Sequence, residues 1–201
     1  MTEESTRPVR EGSKEWWVKR YADSQDFLYG KGPSSFLVEN IEYLRKGETL
    51  DVGMGEGRNA VYLASKGFKI VGIDFVERAV ERATKLAKES GVTVEAKTQD
   101  LDFFLIPLMK YDTIVVCDIH PPLTLFKGLA RGLNKGGTLI LEGYLVDQLR
   151  ISGGYKPEPF ECWKTNEALE CSRDLHVTYY NERPLSPTSV RVQLIARKSM
   201  R

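Results

Sequence analysis

The sequence predicts an α/β fold on a doubly wound, mostly parallel sheet. Three observations carry this. Strand-type and helix-type segments alternate from residue 48 onward, and a glycine-rich turn joins the first strand to the next helix. Near the C-terminus, two strand segments follow one another with no room for a helix between them.

In chain order, residues 14–24 and 33–46 read as two helices ahead of the first strand. ETLDVG is a short apolar run ending at glycine, and GRNAVYLASKG has helical spacing with a glycine stop at Gly67. FKIVGID is the second strand. In the next segment Val76, Ala79, Val80, Ala83, Leu86 and Ala87 recur at helical intervals, and Gly91 ends that helix. VTVEAKT alternates as a third strand, and the β-branched run TIVVCDI (113–119) suits a strand buried on both faces. PPLTLFKGLARGLNKGG reads as a helix with proline at its start, and TLILEGY as the fifth strand. LHVTYY (175–180) and SVRVQLIARK (189–198) are separated only by the turn NERPLSPT. They are expected to form an antiparallel hairpin on the sheet edge, for seven strands in all.

Composition narrows the function classes. Among 201 residues, 41% are hydrophobic and 28% charged, the balance of an ordinary globular domain. No stretch approaches the ~20 apolar residues of a membrane span, so no membrane role is expected. Residues 1–13 are polar, with no apolar core for export, and read as a disordered lead-in. Residues 14–201 then form one domain. The net charge of +1 leaves no footprint for phosphate-backbone binding, which argues against a nucleic-acid partner and for a small-molecule substrate. Cys117, Cys162 and Cys171 form no CxxC pair, which suits a reducing cytoplasm. The two histidines, His120 and His176, lie too far apart to show metal-ligand spacing. Oligomeric state leaves no trace in the sequence.

The main chemical signal is LDVGMGEGRNA, residues 50–60, a strand running through Gly53, Gly55 and Gly57 into a helix. Glycines there bring backbone N–H groups and a helix N-terminus against a ligand without Cβ interference, although a plain turn also accounts for them. Asp74 ends the second strand, 21 residues after Gly53, where a carboxylate can accept from two ribose hydroxyls or cap the next helix. A dinucleotide site requires glycine where this chain has Arg58. The glycine spacing and the terminal hairpin therefore point to a nucleoside cofactor without pyrophosphate.

Over roughly residues 33–198 the chain resembles the class I S-adenosylmethionine-dependent methyltransferases. The carriers, in order, are DVGMGEG, Asp74, TQDL, YDTIVVCDIH and LNKGGTLIL. The resemblance implies a Rossmann-like sheet and S-adenosyl-L-methionine as cofactor. It further implies that Gly53, Gly55 and Gly57 pass beneath the methionine part, that Asp74 holds the ribose and that Phe75 lies against the adenine. Asp100 would accept from the adenine amino group, with a backbone contact from Leu101, and Cys117 would line the methionine side. Phe75 and Cys117 also read as packing residues, and Asp100 as a turn residue.

WWVKRYADSQDFLYGKGPSSFL and GEGRNAVYLASKGF resemble most the tellurite-resistance and thiopurine-type small-molecule methyltransferases. That implies an N-terminal helical lid (14–46) with Tyr21, Phe27 and Tyr29 as its aromatics, and Arg58 and Asn59 near the cofactor carboxylate. Residues 145–164 match no known pattern and are expected to be a substrate-side loop.

Methyl transfer is an in-line displacement with a neutral leaving group, so alignment dominates, and a base is needed only for an acceptor protonated at neutral pH. A thiol, a metalloid oxyanion or a hydroxyl all remain open as acceptors. His120, beyond the fourth strand, is either a catalytic base or a polar residue ahead of two prolines. Trp16, Trp17 and Trp163 are either an aromatic cover for an apolar acceptor or core packing. A protein or RNA methyltransferase and a non-catalytic cofactor-binding protein remain as alternatives.

Overall fold

The structure, a computed structural model, describes residues 10–200. The 1–13 lead-in therefore lies mostly outside the described residues. Residues 10–13 form a turn that ends at Ser13, whose Oγ accepts from Trp16 N and caps the first helix.

The helices are α1 (Lys14–Asp23), α2 (Ser35–Glu39), α3 (Arg58–Ser65), α4 (Glu77–Glu89), α5 (Leu123–Gly132) and α6 (Glu167–Cys171). The strands are β1 (Glu48–Val52), β2 (Lys69–Asp74), β3 (Val94–Thr98), β4 (Tyr111–Cys117), β5 (Leu133–Leu145), β6 (Cys162–Trp163), β7 (His176–Asn181), β8 (Pro184–Ser186) and β9 (Ser189–Arg197). Seven strands run in the order β3-β2-β1-β4-β5-β9-β7, while β6 pairs with β5 and β8 with β9 beside that path. Pairs up to β5 are parallel, and β9 runs antiparallel to both β5 and β7. The predicted α/β sheet with its antiparallel C-terminal hairpin is the observed one.

Strand alternation divides the core between two faces. Val115, Cys117, Ile140 and Ile195 pack with Phe36 and Leu37 of α2 and with Ala60 and Leu63 of α3. Their strand neighbours Ile114, Val116, Leu139, Leu141 and Leu194 pack on the opposite face with Leu125, Phe126 and Leu129 of α5. This is the period-2 rule applied to a sheet covered on both sides. Such burial stabilises by roughly 25 cal/mol per Å² of apolar surface removed from water. The predicted face of α4 is the buried one, with Ala79, Val80, Ala83, Leu86 and Ala87 inside.

Several boundaries differ from expectation. The helix expected over 33–46 breaks at Asn40, whose side chain and backbone N–H both donate to Phe36 O, and a 3₁₀ turn (Ile41–Tyr43) follows. A side-chain amide competing for a helical carbonyl ends the helix early. The α5 segment stops at Gly132 rather than running on to the Lys-Gly-Gly exit. The strand begins at Leu133, and its register on β4 jumps between Tyr111 and Thr113. The NERPLSPT turn holds the short strand β8. Residues 145–164 are not structureless: two 3₁₀ turns (Val146–Arg150, Pro159–Glu161) lead into β6. Gln148 pins the segment by donating to Tyr155 O and Thr188 O and accepting from Val190 N.

Chain order reverses between β1 and β4, the two central neighbours. In an open α/β sheet the carboxyl ends at such a switch point frame a crevice. Gly53 follows one of these strands and Asp118 the other.

Candidate cofactor and acceptor site

A cavity of about 320 Å³ fills that crevice, with Gly53 and Gly55 in its floor. Both have positive φ, 63° and 53°. A Cβ at Gly53 would meet Ile119 Cδ1 at 2.7 Å, and one at Gly55 would meet the Tyr21 hydroxyl at 3.0 Å. Gly57 has a different task. It is absent from the cavity wall, and a Cβ there would meet Ala83 Cβ at 2.8 Å, so this glycine lets α3 and α4 approach. The structure thus departs from the expectation that all three glycines underlie the ligand.

Asp74 is buried at the end of β2. Its Oδ2 accepts from Gly55 N and its Oδ1 from Val76 N, each at 2.9 Å. The carboxylate thus anchors the glycine loop and opens the turn into α4, whose N-cap position is Val76. An ionised carboxylate has about four acceptor sites, so each oxygen keeps capacity for a further donor. Burial pushes this carboxyl above its ordinary range, against the pull of the backbone N–H groups.

Asp51, on β1 below the loop, was assigned no role from sequence. It lines the cavity, and its Oδ2 is a buried side-chain oxygen without a hydrogen-bond partner. Burial raises its pKa from 3.8 to about 7. The signal was present: a carboxylate in an apolar strand immediately before a glycine turn.

Phe75 and Leu101 lie on the cavity wall, Phe75 packed against the cluster of Tyr21, Val76 and Ala79. Asp100 is there too. Its carboxylate is paired with Lys14 of α1 and accepts from Asp102 N, so it clasps α1 to the loop after β3. The Lys14 pairing holds the Asp100 carboxyl below its usual range.

At the end of β4, Cys117 is buried against the cavity, and burial pushes its thiol well up, keeping it neutral. Asp118, in the left-handed region at φ 57°, joins Arg58 to Arg191 of β9. Arg58 also donates to Gly32 O, and Asn59 Oδ1 accepts from Ser34 N. Both side chains reach the cavity wall while tying α3 to the segment before α2. Behind them Glu142 is buried and bonded to Ser34 and Gln193, with Arg191 Nη1 at 3.7 Å. His120 lines the cavity, with Nε2 3.1 Å from Glu167 Oε2 and its ring edge-on to Trp163.

The N-terminal segment also contributes to the wall. Trp17, Tyr21 and Tyr29 line the cavity, whereas Phe27 packs among Val61, Leu86 and Ala87 on α3 and α4. Trp16 meets Phe160 edge-on at 5.6 Å. Trp163 is fully buried core, with Nε1 donating to Ile119 O. From residues 145–164 only Phe160 and Glu161 reach the cavity. Neither was foreseen, since their segment carries no periodic pattern.

Comparison with known proteins supplies what geometry alone leaves open. Residues 49–137 match a family model described as "Methyltransferase domain". That match takes in the glycine loop, Asp74 and Asp100, the segment whose motifs resemble the class I S-adenosylmethionine-dependent methyltransferases. The chain is 27% identical over 137 residues to a 23S rRNA (uracil(747)-C(5))-methyltransferase of Pyrococcus horikoshii, covering 66% of this chain and 31% of that protein. It is 45% identical over 90 residues to a ubiquinone biosynthesis O-methyltransferase of Rickettsia canadensis, covering 41% and 36%. The chain thus spans about a third of the length of these relatives. The structure of TehB from Haemophilus influenzae superposes with a TM-score of 0.66 at 19% identity, over 92% of this chain and 66% of that one, a likeness of fold.

The cofactor of this domain is S-adenosylmethionine, and the residues present fit it. The glycine floor admits a ligand where a Cβ would intrude. The partnerless Asp51 oxygen suits a cationic amine, and Asp74 keeps acceptor capacity for hydroxyls.

Proposed function

We propose that this chain transfers the methyl group of S-adenosylmethionine to a small-molecule acceptor. The observation that carries the small-acceptor reading is the size of the cavity. Its 320 Å³ is near the low end of the ~300–1,000 Å³ of small-ligand sites, and Trp17 and Tyr21 of α1 line it together with Tyr29.

When bound, the cofactor supplies an electrophilic methyl on a sulfonium. The chain's own task is to hold and align. Asp74 accepts from the ribose hydroxyls, Phe75 lies against the adenine, and Asp100 with Leu101 borders the adenine edge. Gly53 and Gly55 underlie the methionine part. Cys117, Arg58 and Asn59 flank its far end, where Asp51 meets the ammonium. Tyr29 closes the lid formed by residues 14–46, and residues 145–164 supply the acceptor side. Holding the partners in line can supply roughly 7–11 kcal/mol of the barrier. The likeness to tellurite-resistance and thiopurine-type enzymes belongs to this same reading. Three free cysteines accord with a reducing cytoplasm.

A second reading, an RNA methyltransferase, is favoured by the relative named for rRNA uracil methylation. Against it stands the near-neutral charge. Calorimetric titration with S-adenosylmethionine and S-adenosylhomocysteine tests the main reading, and no binding of either at millimolar concentration overturns it. Asp74→Ala is expected to weaken both by about 10–100-fold, from the ~1.5–3 kcal/mol of a charged hydrogen bond. An unchanged affinity refutes the ribose assignment. Transfer of labelled methyl to tRNA or rRNA, with none to small acceptors, would establish the second reading.

A further inference from the structure

The cavity carries more carboxylates than its cofactor needs. Glu56 is paired with Arg82, Asp118 with Arg58 and Arg191, and Asp100 and Asp102 with Lys14. Among the described residues, Asp51, Asp74 and Glu161 line the cavity without an ion-pair partner. Asp51 and Asp74 belong to the strands beneath the glycine loop. Glu161 comes from the turn before β6, next to Phe160 and within reach of the Tyr29 hydroxyl.

Its two oxygens differ. Oε2 accepts from Glu158 N at 2.7 Å, closing a capping box on its own 3₁₀ turn. Oε1 has only the hydroxyls of Tyr29 at 3.4 Å and Tyr155 at 3.3 Å. Both contacts exceed the ~2.5–3.0 Å of a formed O–H···O bond. The capping role therefore explains one oxygen and leaves the other with room for a better donor. The groups facing the carboxylate are Arg20 from α1, Tyr29, and Tyr155 and Glu158 of its own segment. Arg20 is linked to it through Tyr155, to whose hydroxyl Arg20 Nη2 donates at 2.8 Å.

We propose that Glu161 is the catalytic base of this site and that its acceptor presents an O–H or N–H to the methyl, a hydroxyl or an amine rather than a thiolate or an oxyanion. This rests on the methyltransferase reading and names its substrate class. The Glu161 carboxylate disfavours an anionic acceptor, whereas a hydroxyl donates to Oε1 directly and an ammonium must first pass Oε1 a proton to free the nitrogen lone pair that attacks. As the acceptor atom bonds to the methyl carbon, the methyl–sulfur bond breaks and its electron pair stays on sulfur as a neutral thioether. The acceptor's proton passes to Oε1 and then to water. Burial raises the affinity of this carboxyl for a proton, as a base requires. His120, the base considered from sequence, already has Glu167 on its Nε2.

The test uses the full chain saturated with S-adenosylhomocysteine and calorimetric titration with phenol, butylamine, thiophenolate and selenite. Wild type is expected to bind phenol or butylamine and to bind the two anions at least tenfold more weakly. Glu161→Gln keeps the shape and the cap. It should hold S-adenosylhomocysteine within twofold, bind the donor at least tenfold more weakly, and turn it over ~10²–10⁴-fold more slowly with S-adenosylmethionine. Preference of wild type for an anion, binding of neither donor, or a variant within threefold in both readouts overturns the proposal while leaving the methyltransferase reading in place. Failure of wild type to bind either form of the cofactor overturns both.

Discussion

At the scale of single residues, the cavity is a problem of uncompensated carboxylates. Asp51 illustrates it best, since its pKa of about 7 comes first from burial, with Asp74 adding to the rise and Arg58 opposing it. A carboxyl raised in the fold favours the folded state while protonated, so its contribution is complete below pH 4 and is lost as pH rises toward 7. The linked change is at most about 4 kcal/mol. Scanning calorimetry of the ligand-free protein should show the melting temperature falling between pH 5 and 8. Asp51→Asn should flatten that fall and raise the melting temperature at pH 8. A variant whose pH profile overlays wild type would show that Asp51 is not the source. Gly57 teaches a related lesson: a glycine inside a ligand-binding motif serves a helix–helix contact with Ala83.

Among the elements, α1 matters most for access. Besides the buried Tyr21, which packs with Val76 and Ala79, its ties to the body include Lys14 to Asp100 and Asp102, Arg20 to Tyr155, and the edge contacts of Trp16 and Trp17 with Phe160. These contacts are few and lie largely at the rim, so the helix is poised to open on its own. Each aromatic pair contributes roughly 0.5–1.5 kcal/mol beyond burial. Phe160→Ala is therefore expected to raise the dissociation constant for S-adenosylhomocysteine about 5–50-fold, mostly through faster release. Hydrogen exchange should speed up over residues 14–23 while β1 and β4 stay protected. Equal loss of protection in the sheet would mean that Phe160 supports the whole fold instead. The helix-type pattern of α1 is legible in its sequence, but its partner Phe160 is not, because 143 and 144 positions separate it from Trp17 and Trp16.

For the whole molecule, the sheet order brings four segments to one rim. Arg191 of β9 joins Asp118 after β4, which holds Arg58 of α3, and it lies near Glu142 on β5. Its guanidinium also stacks 4.0 Å over the Tyr144 ring. The C-terminal hairpin thus contributes to the site wall as well as covering the edge of β5. Removing one member of a buried ionic group costs about 3–5 kcal/mol, because the remaining charges stay buried. Arg191→Met should lose that much in urea unfolding, with an unchanged slope. A loss under 1 kcal/mol would show that Asp118 and Glu142 reach solvent or other partners. Among the described residues, no helix is long and apolar enough to cross a membrane.

Local pattern was enough for the order of strands and helices, the terminal hairpin, the glycine turn and the placing of Asp74. These depend on period, on glycine punctuation and on nearest neighbours, all written within a few residues. The cofactor class was legible for the same reason, since its motifs are short and fall in a fixed order. Only the tertiary structure decided that Asp51 has a partnerless oxygen, that Gly57 serves packing and that Phe160 and Glu161 face the cavity. Desolvation and convergence are properties of surroundings, and Tyr29 meets Glu161 across 132 positions that no local pattern spans. The glycine-loop side of the cavity was therefore readable along the chain, while the wall formed by Phe160 and Glu161 exists only where distant segments meet.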